Sequence, residues 1–245
     1  VAARLGLFQQ VCHAVAHAHA QLVVHRDLKP SNILVDAAGQ VKLLDFGIAA
    51  MTTDADAPAN TAATAARGFT PEYAAPEQVT GGAISTATDV HALGVLLYVL
   101  LTGRHPLHDV LGSPAALLGA IADVDPPPMS ATAAAEGPSG AADGVTSAAA
   151  PSRPLDTRGR AEARRSTPAR LRQQLRGDLD AIVGHALQKS ASARYVSVAH
   201  LADDLVRHLE HRPIAARPVP LAARVQKFVR RNRVAVGLGA VAAAA

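Results

Sequence analysis

The side chains with most chemistry to offer stand close together near the start of the chain. His25-Arg26-Asp27-Leu28-Lys29-Pro30-Ser31-Asn32 brings a carboxylate, an ammonium group and a side-chain amide into one short stretch. Val23-Val24 precedes it and Ile33-Leu34-Val35 follows it, so apolar runs flank the polar residues on both sides. Asp45-Phe46-Gly47 begins thirteen residues after Asn32, and Ala75-Pro76-Glu77 comes further on. A positioned carboxylate can take a proton from a reacting group. Carboxylate and amide oxygens are also the hard ligands that magnesium accepts, few of them from protein.

In this order, the three segments resemble the catalytic loop, the metal-binding loop and the post-activation-loop motif of protein kinases. The resemblance implies transfer of the γ-phosphate of ATP with Mg2+ as cofactor. That reaction depends on positioning and charge neutralisation more than on covalent help from the protein. It implies Asp27 beside the incoming hydroxyl as catalytic base, and Lys29 as a cation near the transferring phosphate. Asn32 and Asp45 resemble the two metal-ligand positions, and Leu34 the residue that packs under the adenine ring. His25, Phe46 and Gly47 complete the two loop motifs. A Lys two residues after the Asp is the serine/threonine-specific form of the loop, and the implied partners are protein substrates.

The same family pattern reaches further along the chain. Thr70 stands seven residues before Glu77, where the family places a Thr that contacts the catalytic Asp and Lys. The Arg of the first motif, Arg26, pairs with a phosphate in kinases switched by loop phosphorylation. Thr64 and Thr61, six and nine residues before Thr70, are the candidate phosphorylation sites, Thr64 ranked first. Asp89, twelve residues after Glu77, matches an Asp that braces the catalytic loop, and Arg194 matches an Arg that pairs with Glu77.

Those residues need elements to hold them. Leu5, Phe8, Val11, Cys12, Val15 and Ala16 recur at helical spacing and predict a helix over 3–20. His13 and His17 share a face of it at a metal-ligand spacing. No Glu follows His13 as a metalloprotease helix needs, so exposed or capping histidines are expected. Ile33–Val35 and Val41–Leu44 flank an Asp/Gly turn and predict a hairpin that carries Asn32 and Asp45 at its ends. Residues 48–74 show no periodicity and resemble an activation segment. Residues 88–102 are apolar nearly all round and predict a buried helix, capped by Thr86 or Thr88 and ended by Gly103. Helical patterning returns at Leu179–Leu187 and Val198–Leu209.

Composition sets the class. Hydrophobic residues make up 49% of the 245 and aromatics only 3%, with alanine doing much of the apolar work. That favours helices over sheets. The expected fold is mainly α, the helical C-terminal lobe of an α+β protein-kinase-like fold, carrying one small β-hairpin. The lobe is expected over 1–124 and 169–211, interrupted by a disordered Ala/Pro-rich insertion at 125–168. Cys12, the single cysteine, excludes an intramolecular disulfide and reads as a buried helix residue.

The net charge is +4, and the basic residues gather late in the chain. Residues 212–220 are Pro-rich, and 212–233 reads as a basic juxtamembrane segment with Arg224, Lys227, Arg230, Arg231 and Arg233 beside apolar residues. Val234–Ala245 is wholly apolar and is expected to begin a transmembrane helix, placing the kinase lobe on the cytoplasmic side of the membrane. A basic segment without interleaved aromatics suits an anionic membrane surface better than nucleic acid. The sequence begins at Val1 without a signal peptide and reads as a piece of a longer chain. In the resemblance, the small lobe, with its Gly-rich loop, strand lysine and partner Glu, would precede Val1. The best overall match is a eukaryotic-like bacterial serine/threonine kinase, the fragment alone being inactive. A pseudokinase scaffold is the alternative, but Asp27, Lys29, Asn32 and Asp45 are all present. A small-molecule phosphotransferase usually lacks both the lysine at position 29 and the Ala-Pro-Glu module.

Overall fold

A computed structural model describes residues 1–46, 69–135 and 156–216. Helix α1 runs over Ala2–Ala20 and buries Leu5, Phe8, Val11, Cys12, Val15 and Ala18 on one face. Burial also pushes the Cys12 thiol well above its ordinary pKa, which makes it an inert core residue. Strands β1 (Ile33–Val35) and β2 (Val41–Leu43) pair antiparallel, Ile33 opposite Leu43 and Val35 opposite Val41. The turn between them is set by Asp36, whose Oδ1 accepts the amides of Ala38 and Gln40 at 3.0 and 2.8 Å, and by Gly39 at φ +76°. Gln10 ties the hairpin to α1: its Oε1 accepts the Val41 amide and its Nε2 donates to the Gly39 carbonyl.

After α2 (Pro76–Thr80), helix α3 (Thr86–Thr102) forms the centre of the lobe. Val90, Leu93, Leu97 and Leu101 are completely buried, as its all-round apolar sequence requires. Its cap is Ser85, not Thr86 or Thr88: the Ser85 Oγ accepts the Ala87 amide, and Thr88 returns the bond by accepting the Ser85 amide. Gly103 ends it in the left-handed conformation, which costs glycine nothing. Helices α1, α8 (Asp178–Ala186) and α9 (Val198–Leu209) pack around α3 in one hydrophobic core, while α4 (Pro114–Asp123) packs on α2.

The expectation of disorder across 125–168 is corrected at both ends. Helix α5 (Met129–Ala134) buries Met129, Ser130, Thr132 and Ala133, and packs on α7 (Pro168–Leu175). Ser130 donates from its amide and its hydroxyl to Asp180 at 3.0 and 2.6 Å, and Tyr98 reaches the Pro127 carbonyl and Thr132. On the far side, α6 (Thr157–Glu162) is capped by Asp156 and buries Arg160 and Ala161. Arg164 follows it and donates to the carbonyls of Val99, Leu100 and Leu101, in the last turn of α3. A few anchoring side chains dock a sequence whose bulk composition reads as low complexity; residues 136–155 lie outside the described residues. Past α9, the amides of Ala215 and Ala216 donate back to Asp204 of that helix, which also accepts the Tyr195 hydroxyl, and Ile214 is buried. The basic segment from 217 onward and the apolar run at 234–245 lie outside the described residues. Among those described, no helix is long and apolar enough to cross a membrane.

Candidate active site

The loop that carries Asp27 is held by its backbone. Asp89, in the first turn of α3 and fully buried, accepts the His25 amide at 2.8 Å and the Arg26 amide at 2.9 Å. His19 Nε2 lies 2.7 Å from the same carboxylate, linking the end of α1 to the start of α3. Arg26 takes φ +69°, a conformation a side chain of that size rarely adopts unless its surroundings impose it. The second clamp is Gln78 of α2, which donates to the Arg26 carbonyl at 2.8 Å and accepts the Ala75 amide at 2.9 Å. Two buried groups therefore hold the peptide units on either side of the Arg26 Cα.

That restraint aims Asp27 and Lys29 at each other and at Thr70. Lys29 Nζ is 2.6 Å from Asp27 Oδ2 and donates to Thr70 Oγ1 at 2.8 Å. The Thr70 amide donates to Asp27 Oδ1 at 2.9 Å. Asn32 is buried and points its Nδ2 at the Asp27 carbonyl, 2.9 Å away, so Oδ1 is the atom it has for a cation. The Asn32 carbonyl accepts the Leu44 amide at 2.9 Å, which carries the hairpin's far end to the loop and brings Asp45 with it. Asp45 is exposed and, like Arg26, left-handed, at φ +48°. His25 is wholly buried, its Nε2 donating to the Leu44 carbonyl at 3.1 Å and its ring 4.8 Å from that of Phe46. The donor set on this surface, one amide oxygen and one exposed carboxylate, suits magnesium with most of its shell left for other oxygens.

Glu77 and Arg194 meet across 117 residues of sequence as a bidentate pair, both N–O distances being 2.7 Å. The Arg194 side chain is completely buried and uses every N–H it has, the other three going to the carbonyls of Ala87, Gln188 and Lys189. Burial would raise the Glu77 pKa. The hydrogen bonds from Arg194, its backbone and Thr88 outweigh that and hold the carboxyl below its ordinary value.

A groove of about 440 Å³ opens beside Lys29 and Thr70, walled by Pro30, Tyr73, Val99 and Leu111. Leu34 and Val35 are each 52% exposed and Leu44 37%, so the hairpin leaves three apolar side chains uncovered. Gly47, Thr61 and Thr64 lie outside the described residues. His13 and His17 are exposed, and among the described residues no group of three or more metal-ligating side chains gathers. His19 and Gln78 are the contributors that sequence reasoning missed. His19 had a signal in its neighbourhood but not its partner, and Gln78 stood unremarked directly after Glu77.

Comparison with known proteins agrees with this geometry. Residues 3–119 match the family described as protein kinase domain. The chain is 43% identical over 103 residues to the serine/threonine-protein kinase PrkC of Bacillus subtilis, covering 42% of this chain and 15% of that one. It is 46% identical over 130 residues to Pkn1 of Myxococcus xanthus, covering 51% and 18%. Against PknB of Mycobacterium tuberculosis it is 32% identical over 203 residues, covering 83% and 26%. The chain thus spans between 15% and 26% of the length of these relatives. With the motifs, the clamped loop and these similarities in hand, the chain belongs to the protein kinase family, on the side of the bacterial serine/threonine kinases.

Proposed function

We propose that the full-length protein transfers the γ-phosphate of Mg-ATP to serine or threonine hydroxyls of protein substrates. The observation that carries this reading is the triangle of Asp27, Lys29 and Thr70, closed by contacts of 2.6–2.9 Å beside an open groove. A substrate hydroxyl in the groove attacks the γ-phosphorus, the bond to the β-phosphate oxygen breaks, and ADP leaves. Asp27 takes the hydroxyl proton and Lys29 faces the charge on the transferring group. Thr70 keeps both in register. Asn32 and Asp45 are the residues that would hold Mg2+, which supplies neutralisation of phosphate charge.

The exposed Leu34, Val35 and Leu44 suit a partner lobe closing over the adenine. We assign the Gly-rich loop and phosphate-binding lysine to such a lobe elsewhere in the full-length protein. Residues 1–245 alone then bind Mg-ATP weakly and transfer phosphate poorly. Phosphate on Thr64 or Thr61 would pair with Arg26 and order the loop before Thr70. The basic segment and the apolar run after it would hold the kinase at the cytoplasmic face of a membrane. Resistance to high salt with release by detergent supports that anchor; release by salt alone leaves only surface binding.

The test of the reaction class is phosphoamino-acid analysis of a protein mixture incubated with the full-length protein and labelled Mg-ATP. Phosphoserine or phosphothreonine is expected. Label found only on a small molecule would replace this reading with a small-molecule phosphotransferase, and no label on any acceptor with a pseudokinase.

A further inference from the structure

We propose that His105 positions the protein substrate: its neutral ring holds the backbone of the loop that walls the groove beside Lys29. The proposal rests on the kinase reading for what the groove binds. Gly103, left-handed at the end of α3, turns the chain so that His105 faces the segment after Thr70. There His105 Nε2 is 2.6 Å from the Glu72 carbonyl, and its ring meets Tyr73 edge to face, with centroids 6.2 Å apart at 87°. Glu72 and Tyr73 line the groove together with Lys29 and Thr70, and His105 itself forms part of the wall.

The hydrogen bonds fix the tautomer. The Leu107 amide donates to His105 Nδ1 at 3.0 Å, so that nitrogen carries no proton. The single ring proton therefore lies on Nε2 and points at Glu72. A second proton would set Nδ1–H against the Leu107 N–H and break that bond. The charged groups around the ring do not invite protonation. His91 and Lys189 share a small cavity with it, and His108 follows in the same turn, against the one carboxylate of Glu72. Arg104 and Asp109 lie on the same segment and pair with each other at 3.8 Å. Burial lowers the pKa of His105, and the Glu72 contacts only partly oppose that. The loop is thus pinned by a neutral histidine from outside the catalytic motifs, and nothing else described bonds to the Glu72 carbonyl.

Two measurements test this. In the 245-residue chain, imidazole nitrogen NMR should show His105 neutral with its proton on Nε2 at pH 7.5. Titration toward pH 5 should shift the amides of Thr70, Glu72 and Tyr73 together with that ring. In the full-length enzyme, His105→Phe keeps the ring contact and loses both hydrogen bonds. It should raise KM for a peptide substrate about tenfold, with KM for ATP and kcat within about twofold. His105→Gln, which can still donate to Glu72, should recover much of the loss. It should also remove the rise in peptide KM expected of the wild type as pH falls through the lowered pKa of His105, under the ordinary value of about 6.5. An unchanged peptide KM in His105→Phe would overturn the proposal, as would loop amides that do not move when His105 titrates. If the wild-type protein transfers no phosphate, the kinase reading falls and the NMR titration still decides whether His105 holds the loop.

Discussion

Replacing Arg194 with Ala should be among the most destabilising single changes in this lobe. The guanidinium is wholly buried and donates five hydrogen bonds, two of them to Glu77. Its removal leaves a carboxylate that is only 10% exposed with Thr88 as its remaining side-chain donor. Stranding one partner of a buried pair costs roughly 3–5 kcal/mol. The carbonyls of Ala87, Gln188 and Lys189 add less, because water can enter the space the side chain leaves. For a domain of this size each kcal/mol moves the melting temperature by about 2–4 °C, so the shift should be roughly 6–20 °C. Thermal melts and urea titrations at pH 7 read this directly. Arg194→Lys should fall between, since an ammonium keeps the charge but cannot make the two-pronged contact. Removing both charges, as in Glu77→Leu with Arg194→Met, should recover most of the loss, because a buried pair gains little over apolar packing. The cost of Arg194→Ala should also shrink in acid. Glu77 has a lowered folded pKa, so its contribution is present above about 4.5 and is lost as pH falls through the folded value. A shift of about 0.5 kcal/mol, the range of surface substitutions, would refute this reasoning, as would strict additivity of Arg194→Ala and Glu77→Ala.

Other perturbations have equally definite outcomes. Asp89→Ala leaves the buried amides of His25 and Arg26 without an acceptor and should cost about 2–5 kcal/mol in urea unfolding. Gly94→Ala should cost roughly 1–3 kcal/mol by overpacking, since a Cβ there would lie 3.0 Å from Ala186 Cβ and Leu187 Cδ2. A variant as stable as wild type would mean α8 can move away from α3. Burial lowers the pKa of both His91 and His105. The unfolded chain therefore binds more protons below about 6.5, and stability should fall from that pH toward the lowered values, then level off. Denaturation midpoints measured from pH 8 to pH 5 should show this decline, and His91→Leu with His105→Gln should flatten it.

What could be read from the sequence was whatever depends on local spacing. The apolar positions of α1 and α3 follow from helical periodicity, and the hairpin from two short apolar runs around Asp36 and Gly39. The contact between Thr70 and the Asp27–Lys29 pair, and that between Glu77 and Arg194, were reached through motif register instead. No periodicity joins residues 117 apart. His19 and Gln78 escaped because their roles exist only once α1, α2 and α3 converge on the backbone around Arg26. Nothing local to either residue announces the partner. The ends of the insertion escaped for a different reason. Composition averages over a window, whereas Ser130 docks through two hydrogen bonds to Asp180 and Arg164 through its bonds to the last turn of α3. The cap of α3 is Ser85, one and three residues before the expected Thr86 or Thr88, since all three are capable hydroxyls and only the backbone turn selects among them.

The most direct measurement is the rate of γ-phosphate transfer from Mg-ATP to a Ser/Thr peptide by the full-length protein and its Asp27→Asn variant. Asparagine keeps the shape and an acceptor for the Thr70 amide but cannot take the hydroxyl proton. Proton acceptance by Asp27 predicts a loss of at least about 10²-fold in kcat, with ATP binding and near-ultraviolet circular dichroism unchanged. Equal rates from the two proteins would contradict it and remove Asp27 from the chemistry.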